Sequence, residues 1–269
     1  MIHTLPSGLQ VDLRKWKLRE RKIAKNPTFL RQGTVITKIL ESVTEGVVNY
    51  GPYQESHLSA SKGKMSWEKV AWSDTVTAIV GSRADTRDRM VFSQPCIFCK
   101  THIPVDEALS SLRRTSMSPE GIKHLQSGEP LICYVGLDDE TSTAHDSEEQ
   151  ALAAGISKET LVVCGVRLLR ASDMNVVRKL QKQDPEGDLE LMQTCVQIEK
   201  LSTPTGHELD DYDSIKVYME DKGLNIDSAI TDFVDKHSGG ISTVFERVCT
   251  GCSTEQRIIL PFGLEFFMM

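Results

Sequence analysis

Two Cys-x-x-Cys pairs, Cys96–Cys99 and Cys249–Cys252, stand 149 residues apart and constrain this chain more than any other feature. Such a pair places two thiolates about one tetrahedral edge apart and so supplies half of a four-coordinate zinc shell. A contiguous zinc ribbon leaves only ~15–20 residues between its pairs, so no local finger can close here. The economical solution brings two distant parts of the chain together around one four-cysteine site. Cys96, Cys99, Cys249 and Cys252 are then the ligands of one structural zinc ion. Two alternatives stay open: a redox Cys-x-x-Cys, and pairs that are reduced or disulfide-bonded without metal. A redox pair normally follows a strand at a helix N-terminus; here Pro95 precedes Cys96 and His102-Ile-Pro follows. His102, three residues past Cys99, and His237, twelve before Cys249, are further ligand candidates with no motif behind them.

Seven cysteines in a chain of 269 residues are too few and too odd a number for a disulfide framework, which belongs to short secreted domains. Cys133, Cys164 and Cys195 each sit in an apolar run, where a thiol acts as a small buried hydrophobe. No apolar run approaches the ~18 residues needed to cross a bilayer. The opening Met-Ile-His-Thr-Leu-Pro-Ser-Gly lacks a basic flank followed by an apolar stretch, so a secretory signal is not expected. A soluble intracellular protein is the expectation.

Placing Cys96 on Cys249 aligns the two halves at an offset of 153 residues. Asp74 then falls on Asp227, Arg83 on Lys236, Val91-Phe92 on Val244-Phe245 and Thr101 on Thr254. Further upstream, at an offset of 155, Val11-Asp-Leu13 resembles Val166-Arg-Leu168. A period this long means paired units, since solenoid repeats recur every ~20–50 residues. The expected fold is α+β, an internally duplicated helix/strand module with each half ending in a Cys-x-x-Cys knuckle. Residues 1–115 form the first half, 116–160 a connecting segment, and 161–269 the second half with an aromatic tail.

Periodicity places the elements. Val11 and Leu13 alternate as in a strand, while Leu18–Asn26 and Gly33–Thr44 read as helices. Residues 49–64 read as a loop, and Ser66 and Ser73-Asp74 as helix starts. Val105–Leu112 and Ser118–Ser127 read as short helices, and Leu131–Val135 and Leu161–Leu169 as strands. Ser172–Gln183 is a helix with Ser172 as its cap; Met192–Ile198 fits either an apolar helix or a strand. Tyr212–Gly223 and Ile226–Lys236 are helical, with Gly239-Gly240 ending the second. Val244–Phe245 leads into the second knuckle and Arg257–Leu260 is a last strand.

Charge is segregated. Residues 1–31 hold eight cations against Asp12 and Glu20, a net of +6, which leaves −13 on the remainder of a chain whose total is −7. Asp138, Asp139, Glu140, Asp146, Glu148 and Glu149 form an acidic stretch that reads as a solvated loop. The basic segment could bind nucleic acid. Its cations alternate with Trp16, Leu18 and Ile23, however, and no second basic tract supports it. A docking surface for an acidic protein, or a solvated face, is preferred. No glycine-rich phosphate loop, metalloprotease helix or nucleophile elbow is present, so no catalytic residue is assigned and the chain is not expected to be an enzyme.

The order of short motifs points to a family. Leu5-Pro-Ser-Gly8 opens the chain, followed by a Val-Asp-Leu-Arg stretch, a Trp-Ser-Asp74 helix and Gly81-Ser-Arg83. Then come Pro95-Cys96-Ile-Phe-Cys99, Cys249-Thr-Gly-Cys252 and a closing Leu260-Pro-Phe-Gly-Leu-Glu-Phe266-Phe267. In this order and spacing the chain resembles the baseplate hub assembly proteins of T-even-type contractile-tail bacteriophages. The resemblance spans nearly the whole chain and is weakest over residues 103–160. Lys100 and Ser253 stand where the family usually has glycine after its second cysteine. It implies a non-enzymatic role: building the baseplate hub, or remaining as a minor structural component, through contacts with other baseplate and hub proteins. Arg14, Lys15, Lys17, Arg19, Arg21 and Lys22, with Phe262, Phe266 and Phe267 of the tail, are then the candidate contact residues. The tail aromatics could equally cover the knuckle region. No small-molecule substrate, membrane or nucleic acid is expected, and the location would be the host cytoplasm during assembly or the virion baseplate. The alternative is a zinc-containing nucleic-acid-associated factor that uses the basic segment.

Overall fold

Val11 and Leu13 are fully buried and alternate with half-exposed neighbours, and this period-two pattern makes the central strand of a first sheet. The computed structural model describes residues 1–59, 65–137, 143–222, 224–262 and 266–267. In chain order, β1 (Ile2–Thr4) and β2 (Gln10–Leu13) are followed by α1 (Leu18–Ala24), α2 (Pro27–Gln32), α3 (Val35–Val43) and β3 (Thr44–Asn49). The short α4 (Glu55–Leu58) precedes the long α5 (Trp72–Thr86) and the hairpin β4 (Arg89–Pro95) and β5 (His102–Ala108). Next come β6 (Arg114–Thr115), α6 (Pro119–Ser127), β7 (Leu131–Gly136), α7 (Glu148–Ala153) and β8 (Leu161–Val166). Then follow α8 (Asp173–Gln183), α9 (Leu189–Gln197), β9 (Ile198–Ser202), β10 (Glu208–Leu209), α10 (Tyr212–Lys222) and α11 (Leu224–Ser238). The tiny β11 (Gly240–Ile241) leads into the hairpin β12 (Val244–Val248) and β13 (Glu255–Ile259). This mixture of helices and antiparallel sheets is an α+β fold.

Two sheets carry the body, one ordered β1-β2-β3 and one ordered β10-β9-β8-β7. Their local geometry matches closely. In the first, α3 runs without a loop into β3; in the second, α9 runs without a loop into β9. Leu13 pairs with Thr44 and Asp12 with Gly46, skipping one residue. Val166 pairs with Ile198 and Gly165 with Lys200, skipping one residue at the corresponding place. The shared bulge aligns Val11-Asp12-Leu13 with Cys164-Gly165-Val166, an offset of 153. At the offset of 155, Val11-Asp-Leu13 falls instead on Val166-Arg-Leu168, of which Arg167 and Leu168 lie beyond the end of β8.

Two large hydrophobic cores follow, with a small third cluster of Ala151, Ile156 and Leu161, and they do not divide the chain at residues 115 and 160. The first gathers Leu9, Leu13, Ile39, Leu40, Trp67, Ile79 and Met90 together with Phe245, Ile258, Leu260 and Phe266. The second draws mainly on residues 117 to 234, among them Cys133, Cys164, Leu201, Ile230 and Phe233. The final hairpin thus completes the first core although it belongs to the last part of the sequence. Nor is 116–160 a mere connector: β7 is hydrogen-bonded to β8 along six residue pairs, and Cys133 and Val135 on it are buried. Where β1 and β2 are joined by the Leu5–Gly8 turn, β7 and β8 are joined by an excursion that contains α7. Asp138, Asp139 and Glu140 of the acidic stretch lie outside the described residues, whereas Glu148 and Glu149 form the first turn of α7, capped by Ser147, where acidic side chains complement the helix dipole.

Most elements form where periodicity places them. Val105–Leu112 is an exception: Ile103 and Val105 are buried between exposed His102, Pro104 and Asp106, which is strand alternation, and only Leu109–Ser111 makes a turn of 3-10 helix. Met192–Ile198 resolves into the end of α9 and the start of β9. Ser172 precedes α8, but its side chain makes no cap hydrogen bond; the Asp173 carboxylate accepts from the Arg170 N–H at 2.7 Å instead. Cys133, Cys164 and Cys195 are buried, as their apolar settings require.

Candidate metal centre

The four knuckle cysteines meet. Each knuckle is the turn of a two-stranded hairpin, β4-β5 or β12-β13, and the hairpins pack through their inner faces. Phe92 and Phe245, which occupy equivalent positions, touch edge to face at 6.2 Å between centroids. The backbone of the two turns is the same. The N–H of Cys96 donates to the Thr101 carbonyl at 2.8 Å, and that of Cys249 to the Thr254 carbonyl at 2.9 Å. The N–H of Lys100 donates to the Cys96 carbonyl at 3.0 Å, and that of Ser253 to the Cys249 carbonyl at 2.8 Å. Lys100 and Ser253 both adopt left-handed φ values, 63° and 59°, a conformation that costs a residue with a Cβ some strain.

The sulfurs lie within 4.8 Å of one another. Cys96 Sγ is 3.6 Å from Cys252 Sγ, and Cys99 Sγ is 3.5 Å from Cys249 Sγ. A tetrahedral ion with metal–sulfur bonds of about 2.3 Å needs sulfurs about 3.8 Å apart, so the residues fit a four-coordinate soft cation closely. Gly251 permits this approach, since a Cβ there would meet the Thr101 hydroxyl and lie 3.3 Å from Cys99 Sγ. Cys96 and Cys249 are buried, Cys99 and Cys252 exposed.

Hydrogen bonds to sulfur prepare the site for thiolates. The N–H groups of Cys99 and Gly251 each donate to a sulfur at 3.4 Å, on Cys96 and Cys249 respectively. Thr101 and Thr254 hydroxyls sit 3.3 Å from Cys99 and Cys252 Sγ. Gln256 adds a side-chain amide donor to Cys96; its counterpart in the first hairpin, Ile103, has none to give. Burial pushes the Cys96 thiol up, but the Cys99 and Phe98 N–H groups and the Gln256 amide outweigh it and bring it down to about 6. At Cys249 the N–H groups of Cys252 and Gly251 act downward, while burial and the neighbouring Cys99 and Cys252 sulfurs act upward and hold it at about 11. Four adjacent thiolates cannot coexist without a cation between them, and a divalent ion would supply it. With four protein ligands no position is left open for substrate, the pattern of a structural site.

The histidines considered as ligands lie elsewhere. His102 Nδ1 is 3.3 Å from Ser93 Oγ on the exposed face of the first hairpin. His237 is buried at the end of α11, with Ser118 Oγ 2.7 Å from Nδ1 and Asp146 Oδ1 2.9 Å from Nε2. This serine–histidine–aspartate chain had no sequence motif to reveal it. Ser118 Oγ also accepts the Gly121 N–H as the cap of α6, and Asp146 is paired with Lys236. The chain fastens α6, α11 and the segment before α7 to one another.

The proposed contact residues fare differently from one another. Phe266 and Phe267 are buried, at 1% and 3% exposure, and form no outer patch. Phe266 meets Trp16 edge to face at 6.4 Å and Phe267 stacks on it at 6.1 Å, within the core that also takes in Cys96 and Cys249. The Arg83 guanidinium lies over the same indole and donates to the Phe266 carbonyl at 3.1 Å. Phe262 is partly buried against the same core. The tail's aromatic surface is spent inside the molecule because Trp16 leaves a face open to it. Arg14 is likewise internal. It pairs with the fully buried Glu20 at 2.7 Å and donates to the Ser42 carbonyl at 2.8 Å. Burial pushes the Glu20 carboxyl up, but Arg14, Ser42, the Lys17 N–H and Arg19 together bring it down to about 2. Lys15, Lys17, Arg19, Arg21 and Lys22 remain exposed.

No helix among the described residues is long and apolar enough to cross a membrane. Comparison of the chain with protein-family models, with curated proteins and with solved structures finds no match.

Proposed function

We propose that this chain is an internally duplicated, non-enzymatic assembly protein whose two knuckles hold one structural zinc ion, and that it serves in the baseplate hub of a contractile phage tail. The observation that carries the zinc reading is the meeting of four thiols, two from each of two distant hairpins, at tetrahedral spacing. Duplication is supported by the bulge at equivalent positions of β2/β3 and β8/β9, by the two loop-free helix-to-strand junctions, and by the matching left-handed residues Lys100 and Ser253. The phage role rests on the order of motifs from Leu5-Pro-Ser-Gly8 to the closing aromatics. The protein would act through contacts with other hub and baseplate proteins, in the host cytoplasm during assembly or in the finished virion. Its contact residues are the exposed Lys15, Lys17, Arg19, Arg21 and Lys22, with Arg14 and the tail aromatics reassigned to the interior.

Zinc bridging two distant hairpins would contribute several kcal/mol to folding, since metal binding to a site absent from the unfolded chain is folding energy. Elemental analysis of purified protein is the test: one zinc per chain, with the four knuckle thiols protected from alkylation, is expected. Less than half an equivalent with all thiols reactive overturns it. For the hub role, a phage lacking the gene is expected to make heads and tail fibres but few complete tails; normal baseplates in that phage would reject the assignment.

A further inference from the structure

The basic segment does not end at residue 31. Helix α8, from the second half of the chain, lays its cations against the end of α2. Lys182 Nζ donates to the Arg31 carbonyl at 3.0 Å. The Arg178 guanidinium covers Gly33, the left-handed residue that ends α2, so closely that a Cβ there would collide with it. Arg31, Arg178 and Lys182 are thereby gathered at one junction, and all three are exposed. Lys15 and Lys17 just before α1, and Arg21 and Lys22 on it, continue the same sign. Among the described residues no carboxylate lies within ion-pair distance of any of these seven, whereas Arg14 and Arg19 share Glu20. Like charges held together without counter-charge repel, and the repulsion is relieved when an anion arrives. Within this surface Leu18 and Leu30 stand 73% and 45% exposed, although burying a leucine is worth about 1.5–3 kcal/mol.

We propose that α1, α2 and the adjoining side of α8 form one composite surface that binds an acidic protein segment carrying aliphatic side chains. The inference rests on the reading of the basic segment as a contact surface and extends it to a second element and a defined chemistry. Leu18 and Leu30 decide between polyanions. A nucleic-acid backbone offers phosphates but nothing aliphatic to cover them, and the net −13 on residues 32–269 disfavours a long polyanion. A short acidic segment matches the cations and the leucines while touching only this face.

The test uses the zinc-loaded full chain and a labelled peptide of about sixteen residues, Glu with interspersed Leu, followed by fluorescence anisotropy at two salt concentrations. A polyglutamate of equal charge and a DNA duplex of equal charge serve as competitors. Binding that weakens with salt, with the Leu-containing peptide the best ligand, is expected. Arg178→Gln with Lys182→Gln should weaken it about tenfold and Leu18→Ser about threefold, while Arg257→Gln on β13 should leave it unchanged; circular dichroism checks that each variant folds. If Lys17→Gln with Lys22→Gln abolishes binding but the α8 variant is silent, the composite surface is wrong and the simpler reading of the basic segment survives. If the peptide fails to bind at all, both are wrong. Tighter binding of DNA than of either peptide overturns the proposed partner.

Discussion

The two knuckle hairpins have one backbone and two different surroundings. Both close with the same hydrogen bonds, both strain one residue past the second cysteine, and they contribute two sulfurs each. Yet the first carries Ile97 and Phe98 at its tip, 64% and 65% exposed, where the second carries Thr250 and Gly251. The second sends Gln256 across to Cys96, where the first has Ile103, buried in the core. Ligation is thus shared equally and support is not. The backbone that presents the four sulfurs is alike in the two hairpins; the side chains around those sulfurs are not.

The largest test of that comparison removes a ligand from either side. Cys96→Ala and Cys249→Ala should each abolish stoichiometric zinc and cost several kcal/mol, read by elemental analysis and thermal unfolding. Unequal loss, with one variant keeping a full zinc equivalent, would show that the knuckles do not share a site.

The equivalent aspartates sharpen the contrast next. Asp74 accepts from the Ser7 N–H at 3.0 Å, the Ser7 hydroxyl at 2.5 Å and the Tyr53 hydroxyl at 2.8 Å, while Asp227 Oδ1 is buried with no hydrogen-bond partner among the described residues. Burial raises the Asp74 carboxyl, but three donors converge on it, so Asp74→Asn, which turns one acceptor into a donor, should cost about 2–3 kcal/mol in denaturant unfolding. Asp227→Asn should instead stabilise by up to about 1 kcal/mol at neutral pH. Burial raises the Asp227 carboxyl above its ordinary value of 3.8. The unfolded chain therefore ionises first, and native stability is lost as pH rises through the folded value. The gain from Asn should accordingly vanish near about pH 3, where the carboxyl is neutral in both states. A gain that persists there would place its origin in packing.

Smaller effects separate backbone from tip. Gly251→Ala should destabilise by about 1–2 kcal/mol through its collision with Thr101. At the equivalent position, Phe98→Ala should stay within about 0.5 kcal/mol, as for other exposed side chains. Lys100→Gly and Ser253→Gly should each stabilise by about 0.5–1 kcal/mol, by equal amounts if the two turns share one conformation; a difference in thermal midpoint between them would deny the equivalence.

The meeting of the cysteines was legible because ligand chemistry demands it: two half-shells at matched positions have few ways to be completed. Helices with strong periodicity, such as α3 and α8, were legible too. What escaped was governed by partners far along the chain. Val105–Leu112 reads as a helix until β4 lies beside it and selects the alternation of Ile103 and Val105. The closing phenylalanines look like an exposed patch until Trp16 and Arg83, roughly 180–250 residues earlier in the chain, are seen to receive them. Arg14 looks like one more surface cation until Glu20 and Ser42 are found beneath it. Val11-Asp-Leu13 can be set on Val166-Arg-Leu168 or on Cys164-Gly165-Val166 by residue type, and only the strand pairing puts a bulge beside the second.

The first core is completed by a hairpin and an aromatic segment made long after the residues they cover. During synthesis at about 5–20 residues per second, the stretch between the two knuckles takes roughly 10–30 s to emerge. For that interval Cys96 and Cys99 are half a binding site, and the faces of Ile79, Met90 and Trp16 that await the C-terminal segment are open to water. The second core, drawn mainly from residues 117–234, can close within that interval. The later hairpin and its aromatic segment would then seal the first core and complete the four-sulfur site, so that a chain cut before residue 244 carries neither.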